Sequence, residues 1–270
     1  MAVKARTPID LDEVRRQIRR GLPVQLPDID VSVCTIHGRR FLFAGDRVSD
    51  PIQRANRKGK FYEEEELRVI KAHFPQGGTF VDIGSNIGNH SLFVAAFCQP
   101  ARIIPFEPNP LAYKLLLANV ALNGFGDIFD LSHVGMGLSD QRASGFAMSD
   151  QNRNLGGARM EAGGGDIETT TGDAALAEVT PDFLKIDVEG MEMMALRGLD
   201  ETIRRAKPMI LIEVDQQNYD AFDDWVEKTG YDVLDTFQRY KTNKNFLLRK
   251  TSEASDQKPD PEREDQTASS

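Results

Sequence analysis

From residue 79 onward, short apolar runs alternate with longer segments in which apolar residues recur every three to four positions. The short runs predict buried strands, and the longer segments predict amphipathic helices. The predicted strands cover residues 79–83, 102–106, 128–134, 183–187, 209–214, 231–236 and 245–249. Strands that alternate with helices in this way are typical of a parallel sheet covered by helices on both faces. The sequence therefore predicts an α/β domain with seven strands.

Two terminal segments lie outside this alternation. Residues 1–50 contain a predicted surface helix at Asp10–Arg20 and two strand-like runs around His37-Gly38, which predict a hairpin. We interpret residues 1–50 as an N-terminal extension and residues 51–250 as the main domain. Residues 251–270 are rich in Ser, Asp, Glu, Pro, Lys and Gln without periodicity, which predicts a disordered acidic tail.

A polar, glycine-rich segment at residues 135–171 separates the third and fourth predicted strands. It contains Gly156-Gly157 and Gly163-Gly164-Gly165. Connections of this length are uncommon unless they are functional or disordered. We expect a mobile or hairpin-bearing excursion over the edge of the sheet.

The composition restricts the partners that the chain can take. Acidic residues number 42 against 33 basic ones, and this net charge of −9 disfavours nucleic acid as the main partner. Cys34 and Cys98 lie far apart among apolar neighbours, so we expect buried thiols and no disulfide scaffold. The N-terminus lacks the apolar core of a signal peptide, and no apolar run approaches the length of a membrane span. We therefore expect a cytoplasmic protein without membrane insertion.

A glycine-punctuated turn follows the first core strand. Gly84 and Gly88 allow a tight turn between this strand and the next helix, an arrangement that presents nucleotide-like ligands to a helix N-terminus. The dinucleotide fingerprint requires a glycine where this chain has Asn86. Asp82 would repel a pyrophosphate but attract a ligand that carries a positive amine. The turn thus argues against an NAD-dependent oxidoreductase.

Glu107 follows the second core strand, where nucleoside-binding sheets hold the ribose. A carboxylate there can accept hydrogen bonds from both ribose hydroxyls. The alternative is a plain helix-start acid, because Glu107 precedes the start of a helix at Asn109-Pro110. Because Glu107 occurs together with the glycine turn, we favour the ribose role for this residue.

Charged residues also cluster at the end of the fourth core strand. Lys185 and Asp187 share one strand face about 7 Å apart, and Asp187 lies at the carboxyl end, where open α/β sheets bind ligands. If the strand at 209–214 is adjacent, Glu213 ends beside Asp187. The second carboxylate and Lys185 could shift the pKa of the first carboxylate, so that one of the two acids acts as a general base for an acceptor hydroxyl. Alternatively, these charges only neutralise one another, or Asp187 only contacts a cofactor.

Three other groups receive structural interpretations. Glu189 and Glu192 begin the next helix, where capping or a salt bridge explains them. The acid run at 63–66 opens a predicted helix and complements its dipole, although Tyr62 and one of the glutamates could instead face the ligand. His90 is interpreted as a packed or cofactor-edge residue. An alternative is that the carboxylates hold a divalent cation, but no His or Cys spacing supports a tight transition-metal site, so we predict none.

Three motifs of the sequence resemble the FkbM family of S-adenosylmethionine-dependent methyltransferases. The motifs are Phe80-Val81-Asp82-Ile83-Gly84-Ser85-Asn86-Ile87-Gly88, Phe106-Glu107-Pro108-Asn109 and Phe183-Leu184-Lys185-Ile186-Asp187-Val188-Glu189-Gly190-Met191-Glu192. The likeness covers about residues 50–214, and the K-I-D-V-E-G element is its most specific part. The resemblance implies a Rossmann-like methyltransferase fold, with strand order 3-2-1-4-5-7-6 and the last strand antiparallel.

The resemblance also implies a cofactor, S-adenosyl-L-methionine, and the residues that bind it. Its methionine part would be held by Asp82, Gly84, Asn86 and Gly88, and its ribose by Glu107. The remaining cofactor-binding residues would be Asn89, Pro108, Asn109 and Asp187. Family members mostly methylate hydroxyl oxygens, so we expect O-methylation of a sugar or natural-product acceptor, with Asp187, Glu213 and Lys185 as catalytic residues. A nonenzymatic nucleoside-binding module is the alternative, and an NAD-dependent oxidoreductase is a third possibility.

Overall fold

The computed structural model describes residues 9–26, 28–149, 155–239 and 241–251. Its helices are α1 (Leu11–Arg19), α2 (Pro51–Arg57), α3 (Glu64–His73), α4 (Asn89–Phe97), α5 (Pro110–Leu122), α6 (Gly172–Ala175), α7 (Glu192–Gly198), α8 (Asp200–Ala206) and α9 (Tyr219–Thr229). Its strands are β1 (Asp30–Ile36), β2 (Arg39–Gly45), β3 (Thr79–Ile83), β4 (Arg102–Phe106), β5 (Met136–Leu138), β6 (Ala143–Met148), β7 (Met160–Ala162), β8 (Ile167–Thr170), β9 (Phe183–Ile186), β10 (Met209–Asp215), β11 (Tyr231–Phe237) and β12 (Asn243–Lys250). The tail predicted at 251–270 lies, apart from Thr251, outside the described residues.

Within this part of the chain, the main sheet has six strands in the order β11-β12-β10-β9-β3-β4. Strands β4, β3, β9 and β10 are parallel, whereas β12 is antiparallel to both β10 and β11. Phe80 and Phe183 belong to the apolar core on one face, and Val81 and Leu184 belong to the core on the other face. Burial on both faces explains the continuous apolar runs of these strands. The predicted α/β, Rossmann-like fold class is confirmed.

The predicted third strand, at residues 128–134, does not form. Two isolated bridges, Ile103 with Phe129 and Glu107 with Val134, join this segment to the edge of β4. Ser132 donates a backbone hydrogen bond to the Asp130 side chain, 3.1 Å, and such a local turn interrupts a ladder. The prediction of seven strands in the order 3-2-1-4-5-7-6 is therefore wrong in its strand count and in its first strand. The other six strands keep their relative order.

The segment before residue 51 packs on helix α5. Strands β1 and β2 form an antiparallel hairpin whose turn residues His37 and Gly38 have φ of 49° and 79°. Asn119 on α5 accepts a hydrogen bond from Ala44 N, 2.7 Å, and donates one to Ile87 O, 2.8 Å. One buried side chain thus joins the hairpin to the glycine-punctuated turn after β3.

The excursion between residues 135 and 171 forms a second sheet, in the order β5-β8-β6-β7 among the described residues. Strands β6 and β7 form an antiparallel hairpin, and β5 runs parallel to β8. Side chains from this sheet and from Leu155 reach the carboxyl edge of the main sheet. The small sheet therefore supplies one wall of the candidate site.

Cys34 and Cys98 are both free and partly buried. Across the described ranges, each helix is too short or too polar to cross a lipid bilayer.

Candidate active site

The turn between β3 and α4 brings three strand ends together. Gly84, Asn86 and Gly88 have φ of 79°, 50° and 88°. A Cβ atom on Gly84 would lie 1.8 Å from the carbonyl oxygen of Asp187, so the turn can approach the end of β9 only without a side chain. Asn86 N donates a 2.7 Å hydrogen bond to Glu107 Oε2 at the end of β4. The carboxyl ends of β3, β4 and β9 therefore meet at this turn.

Replacing Gly84 by alanine is expected to lower the free energy of unfolding by about 4 kcal/mol, because the new methyl group displaces the Asp187 carbonyl. Gly124→Ala is the matched control. Gly124 also has a positive φ, 68°, but nothing lies within 4 Å of the position that a Cβ atom would take there. We expect only the backbone cost of about 1–2 kcal/mol there. Urea denaturation measures both losses, and equal losses would contradict a tight contact at Gly84.

Two cavities open at this edge of the sheet, and both are lined by Gly84, Asn86 and Asp187. The first, named the apolar cavity, is covered by Leu138, Met148, Leu155, Ala158 and Met160. The second, named the acidic cavity, has a volume of about 250 Å³. Its charged lining residues are Glu63, His90, Lys185, Asp187, Glu189 and Glu213.

Glu107 and Pro108 line the apolar cavity. Both oxygens of Glu107 accept backbone hydrogen bonds, Oε1 from Asn109 N at 2.8 Å and Oε2 from Asn86 N at 2.7 Å. Burial raises the pKa of Glu107 to about 7, against the opposing effect of these hydrogen bonds. Asn109 caps α5 by accepting from Leu111 N, and it lies outside the linings of both cavities.

Asp82 lies beneath the turn and not on a cavity wall. Its side chain is fully buried, and Oδ2 accepts a 2.6 Å hydrogen bond from Ser91 Oγ. Its other oxygen lies 3.7 Å from Lys185 Nζ, which also donates to Gly84 O and to Asp187 Oδ2, both at 3.2 Å. Burial opposes the charge of Lys185, but Asp187 and Asp82 outweigh it and raise the pKa of Lys185 above its ordinary value. Lys185 thus joins Asp82, the turn and Asp187.

Gly88 and Asn89 have structural contacts at the start of α4. Gly88 is the N-cap of this helix, and a Cβ atom there would lie 2.6 Å from Leu116 Cδ1. Asn89 accepts from Tyr62 N and donates to Tyr62 O, both at 2.9 Å. Asn89, which also lines the acidic cavity, therefore fixes the segment before α3 to the first turn of α4.

Asp187, Glu189 and Glu213 meet at the wall of the acidic cavity. One oxygen from each lies within 4.8 Å of the others, because β9 and β10 are neighbours. Burial, followed by repulsion from Asp187, raises the pKa of Glu213 to about 10 and that of Glu189 to about 8. The structure thus brings Asp187 and Glu213 together as the sequence suggested. It also adds Glu189, for which capping or a salt bridge was predicted.

Sequence reasoning missed the group formed by Glu63, Glu66 and His90. His90 Nε2 lies 3.0 Å from Glu66 Oε2 and 3.7 Å from Glu63 Oε2. Glu64 and Glu65 are exposed, as helix-start charges are expected to be, whereas Glu66 is buried. Burial opposes protonation of His90, but the hydrogen bond with Glu66 raises its pKa, and burial raises the pKa of Glu63 to about 7. Tyr62 and Glu63 do line the cavity, which was the alternative interpretation of this segment.

The charges of the acidic cavity favour a positively charged ligand. Four carboxylates on its wall face two basic side chains, those of Lys185 and His90. The raised pKa values of Glu63, Glu189 and Glu213 reflect burial together with mutual repulsion. A cation bound here would relieve that repulsion, because opposite charges favour the ionised carboxylates. The neighbouring apolar cavity suits a weakly polar group.

The chain is similar to known methyltransferases. Residues 82–239 match the Methyltransferase FkbM domain. Hexuronic acid methyltransferase AglP of Haloferax volcanii is 28% identical over 157 residues, which cover 56% of this chain and 62% of AglP. Methyltransferase sdnD of Sordaria araneosa is 27% identical over 164 residues, or 48% of this chain and 63% of that protein. The matches thus span less than two thirds of these relatives. Among solved structures, methyltransferase FkbM from Methylobacillus flagellatus is 19% identical, with a TM-score of 0.47 over 64% of this chain and 44% of that chain.

Proposed function

Because the chain belongs to the FkbM family of methyltransferases, we propose that it transfers a methyl group from S-adenosylmethionine to a hydroxyl oxygen of a sugar or another small molecule. The observation that carries this proposal is the meeting of three strand ends around Gly84, between an apolar and an acidic cavity. The two cavities match two parts of the methyl donor, its uncharged adenine and its cationic sulfonium. The turn lies where open α/β sheets bind their ligands.

The polar atoms near the turn fit this cofactor. The Oδ1 atom of Asn86 is buried without a hydrogen-bond partner in the described part of the chain, although Asn86 lines both cavities. It is therefore available to the ammonium or a hydroxyl of the donor. Each Glu107 oxygen accepts one backbone N–H and retains a second lone pair, so Glu107 can still accept from ribose hydroxyls.

The mechanism assigns different roles to the charged residues. When bound, S-adenosylmethionine supplies a methyl group that is attached to a positively charged sulfur. Asp187 accepts the proton of the acceptor hydroxyl on its carboxylate, and Lys185 fixes the orientation of that carboxylate through its contact with Oδ2. Asp82 acts through Lys185 as a positioning residue. The walls of the two cavities orient the reactants and exclude water, which supplies most of the rate enhancement.

The acceptor that we propose is a neutral or amine-bearing hydroxyl compound. The relative AglP is named for a hexuronic acid, which carries a carboxylate. In this chain, Asp187, Glu189 and Glu213 line the acidic cavity together with Glu63. Burial and mutual repulsion already raise the pKa values of Glu63, Glu189 and Glu213, so a further carboxylate in this cavity would be bound only at an added electrostatic cost. We therefore expect neutral sugars or amino sugars to be better acceptors than hexuronic acids.

Isothermal titration calorimetry is expected to detect S-adenosylmethionine and its demethylated product binding at one site per chain, with no binding of NAD. Glu107→Gln should weaken donor binding by about tenfold, because a carboxylate–hydroxyl hydrogen bond is lost. Glu178→Gln, at an exposed position, serves as the control and should leave the affinity unchanged. Binding of NAD without binding of the methyl donor would contradict the proposal.

Methyl transfer is tested with labelled donor on neutral sugars, amino sugars and hexuronic acids. The proposal expects label on the first two classes. Donor binding without transfer to any of these acceptors would favour a nonenzymatic nucleoside-binding module. Preferred transfer to hexuronic acids would leave the methyltransferase assignment intact and overturn the proposed acceptor class.

A further inference from the structure

Glu63, Glu66 and His90 form a compact group of potential metal ligands on one wall of the acidic cavity. One ligand atom from each residue lies within 4.8 Å of the other two. His90 and Glu66 are only 4% and 5% exposed. We propose that His90 Nε2 and one carboxylate oxygen from each glutamate bind a divalent transition-metal ion.

One proton on His90 Nε2 cannot serve both glutamates. A single proton on His90 Nε2 can serve Glu66, at 3.0 Å, but Glu63 lies at 3.7 Å, which is too far for a hydrogen bond. The other oxygen of Glu63 lies 3.6 Å from Arg239 Nη1. A divalent ion in place of the proton would contact both carboxylates at once. It would also balance their two negative charges.

The spacing of the ligand atoms suits one ion. Zinc lies about 2.0–2.2 Å from imidazole nitrogen and carboxylate oxygen, so two of its ligand atoms lie about 3.0–3.5 Å apart. The observed separations of 3.0 Å and 3.7 Å from His90 Nε2 bracket this range. Shifts of a few tenths of an ångström would therefore complete the coordination. The same separations suit Mn²⁺, which accepts carboxylate and imidazole ligands.

The starts of α3 and α4 hold the ligand residues in place. His90 lies in the first turn of α4, and Glu63 precedes the first turn of α3. The paired hydrogen bonds between Asn89 and the Tyr62 backbone, each 2.9 Å, join these two helix starts. Ligands on rigid, mutually fixed elements lose little entropy when they bind an ion.

The carboxylate group of Asp187, Glu189 and Glu213 is less suited to a transition metal. It offers no imidazole ligand, and Lys185 Nζ already contacts Asp187 Oδ2 at 3.2 Å. Arg239 Nη1 lies farther from Glu63, at 3.6 Å, and the nearer positive charge opposes cation binding more strongly. The imidazole-containing group is therefore the preferred site, and Glu63 and His90 expose it to the acidic cavity.

The full chain, stripped of metal by a chelator, is titrated with Mn²⁺ and followed by electron paramagnetic resonance. We expect one tightly bound ion per chain that Zn²⁺ displaces. The electron spin echo of the bound ion should show coupling to the ¹⁴N nucleus of one imidazole. These measurements contain no methyl donor, so their outcome does not depend on the proposed methyl transfer.

Variants assign the site to individual residues. His90→Gln and Glu63→Gln should each weaken Mn²⁺ binding by at least about 100-fold, since loss of even an indirect partner of a metal costs up to that much. Glu65→Gln, an exposed position on the same helix, should change nothing. Glu189→Gln should also leave the affinity and the ¹⁴N coupling unchanged.

Three results would overturn the inference. The first is the absence of a stoichiometric Mn²⁺ or Zn²⁺ ion in the unaltered chain. The second is a bound Mn²⁺ whose spin echo lacks ¹⁴N coupling. The third is weakened binding in Glu189→Gln together with unchanged binding in Glu63→Gln, which would place the ion on the Asp187 group. The first two results come from the unaltered chain, so they hold even if a variant fails to fold.

Discussion

Asp187→Asn is expected to lower kcat for methyl transfer by about 10³-fold, within the range that a general base contributes. Asp187 lines both cavities and presents a side chain that is 27% exposed. Asparagine keeps the shape and can still accept from Lys185, but it cannot take up the proton of an acceptor hydroxyl. Donor affinity should change by less than about threefold, because the lost interaction is made with the acceptor in the transition state. Initial rates and calorimetric titration with S-adenosylmethionine measure the two quantities.

Glu213→Gln provides the contrast to this variant. Burial raises the pKa of Glu213 to about 10, so the side chain is protonated at neutral pH and glutamine reproduces its uncharged form. The effect on kcat should therefore be less than about tenfold. Asp140→Asn is the control, because Asp140 is a partly exposed acid that pairs with Arg197 away from both cavities. A larger loss in Glu213→Gln than in Asp187→Asn would move the base to Glu213, and turnover within twofold of the unaltered chain in both would remove carboxylate-base catalysis.

Much of the main sheet could be predicted because its strands are buried on both faces. Continuous apolar runs produced the bounds of β3, β4 and β10 to within a residue. The prediction of a strand at residues 128–134 was wrong for a related reason. Phe129, Leu131 and Val134 are buried in the core, but the Asp130 turn carries them there without a ladder. Apolar composition reports burial, and it cannot distinguish a strand from a packed turn.

The sequence located the carboxyl edge of the sheet but not all of its contents. Asp187 and Glu213 could be placed together because adjacent parallel strands end at one edge. Glu63 and Glu66 could not, since they precede the sheet and meet His90 only after α3 has packed against α4. A helix-start acid and a cavity acid look the same in a sequence. The burial of Glu66 distinguishes them only in three dimensions.

Asp82 illustrates the opposite case, in which the position was predicted and its surroundings were not. A direct contact between Asp82 and the donor was predicted, because a carboxylate after the first strand attracts a cation. In the structure, Asp82 is fully buried and its nearest cation is Lys185. Strands β3 and β9 pair with Asp82 opposite Lys185 in the register. Because side chains alternate between the two faces of a sheet, these two lie on the same face. The pairing of β3 with β9, which connects residues 103 positions apart in the register, is the information that one sequence does not contain.

Lys185→Met is expected to lower the free energy of unfolding by about 3–5 kcal/mol, the usual cost of removing one partner of a buried ion pair. Methionine fills a similar volume, so the loss comes from the charges. Asp82 keeps its hydrogen bond from Ser91 but loses its cation, and the Gly84 carbonyl loses a donor. Urea denaturation measures the loss. Lys228→Met, an exposed position on α9, is the matched control and should change stability by less than about 0.5 kcal/mol.

A double-mutant cycle with Asp82→Asn tests whether Asp82 acts through Lys185. In the Lys185→Met background, Asp82→Asn should restore about 1–3 kcal/mol, because it removes a buried carboxylate that has lost its cation. With Lys185 present, the same substitution should be destabilising, since the ammonium loses a neighbour 3.7 Å away. This change of sign is the signature of a coupled pair. Additive losses would show that the two residues act independently, and a role of Asp82 in donor binding would then require a contact other than the one through Lys185.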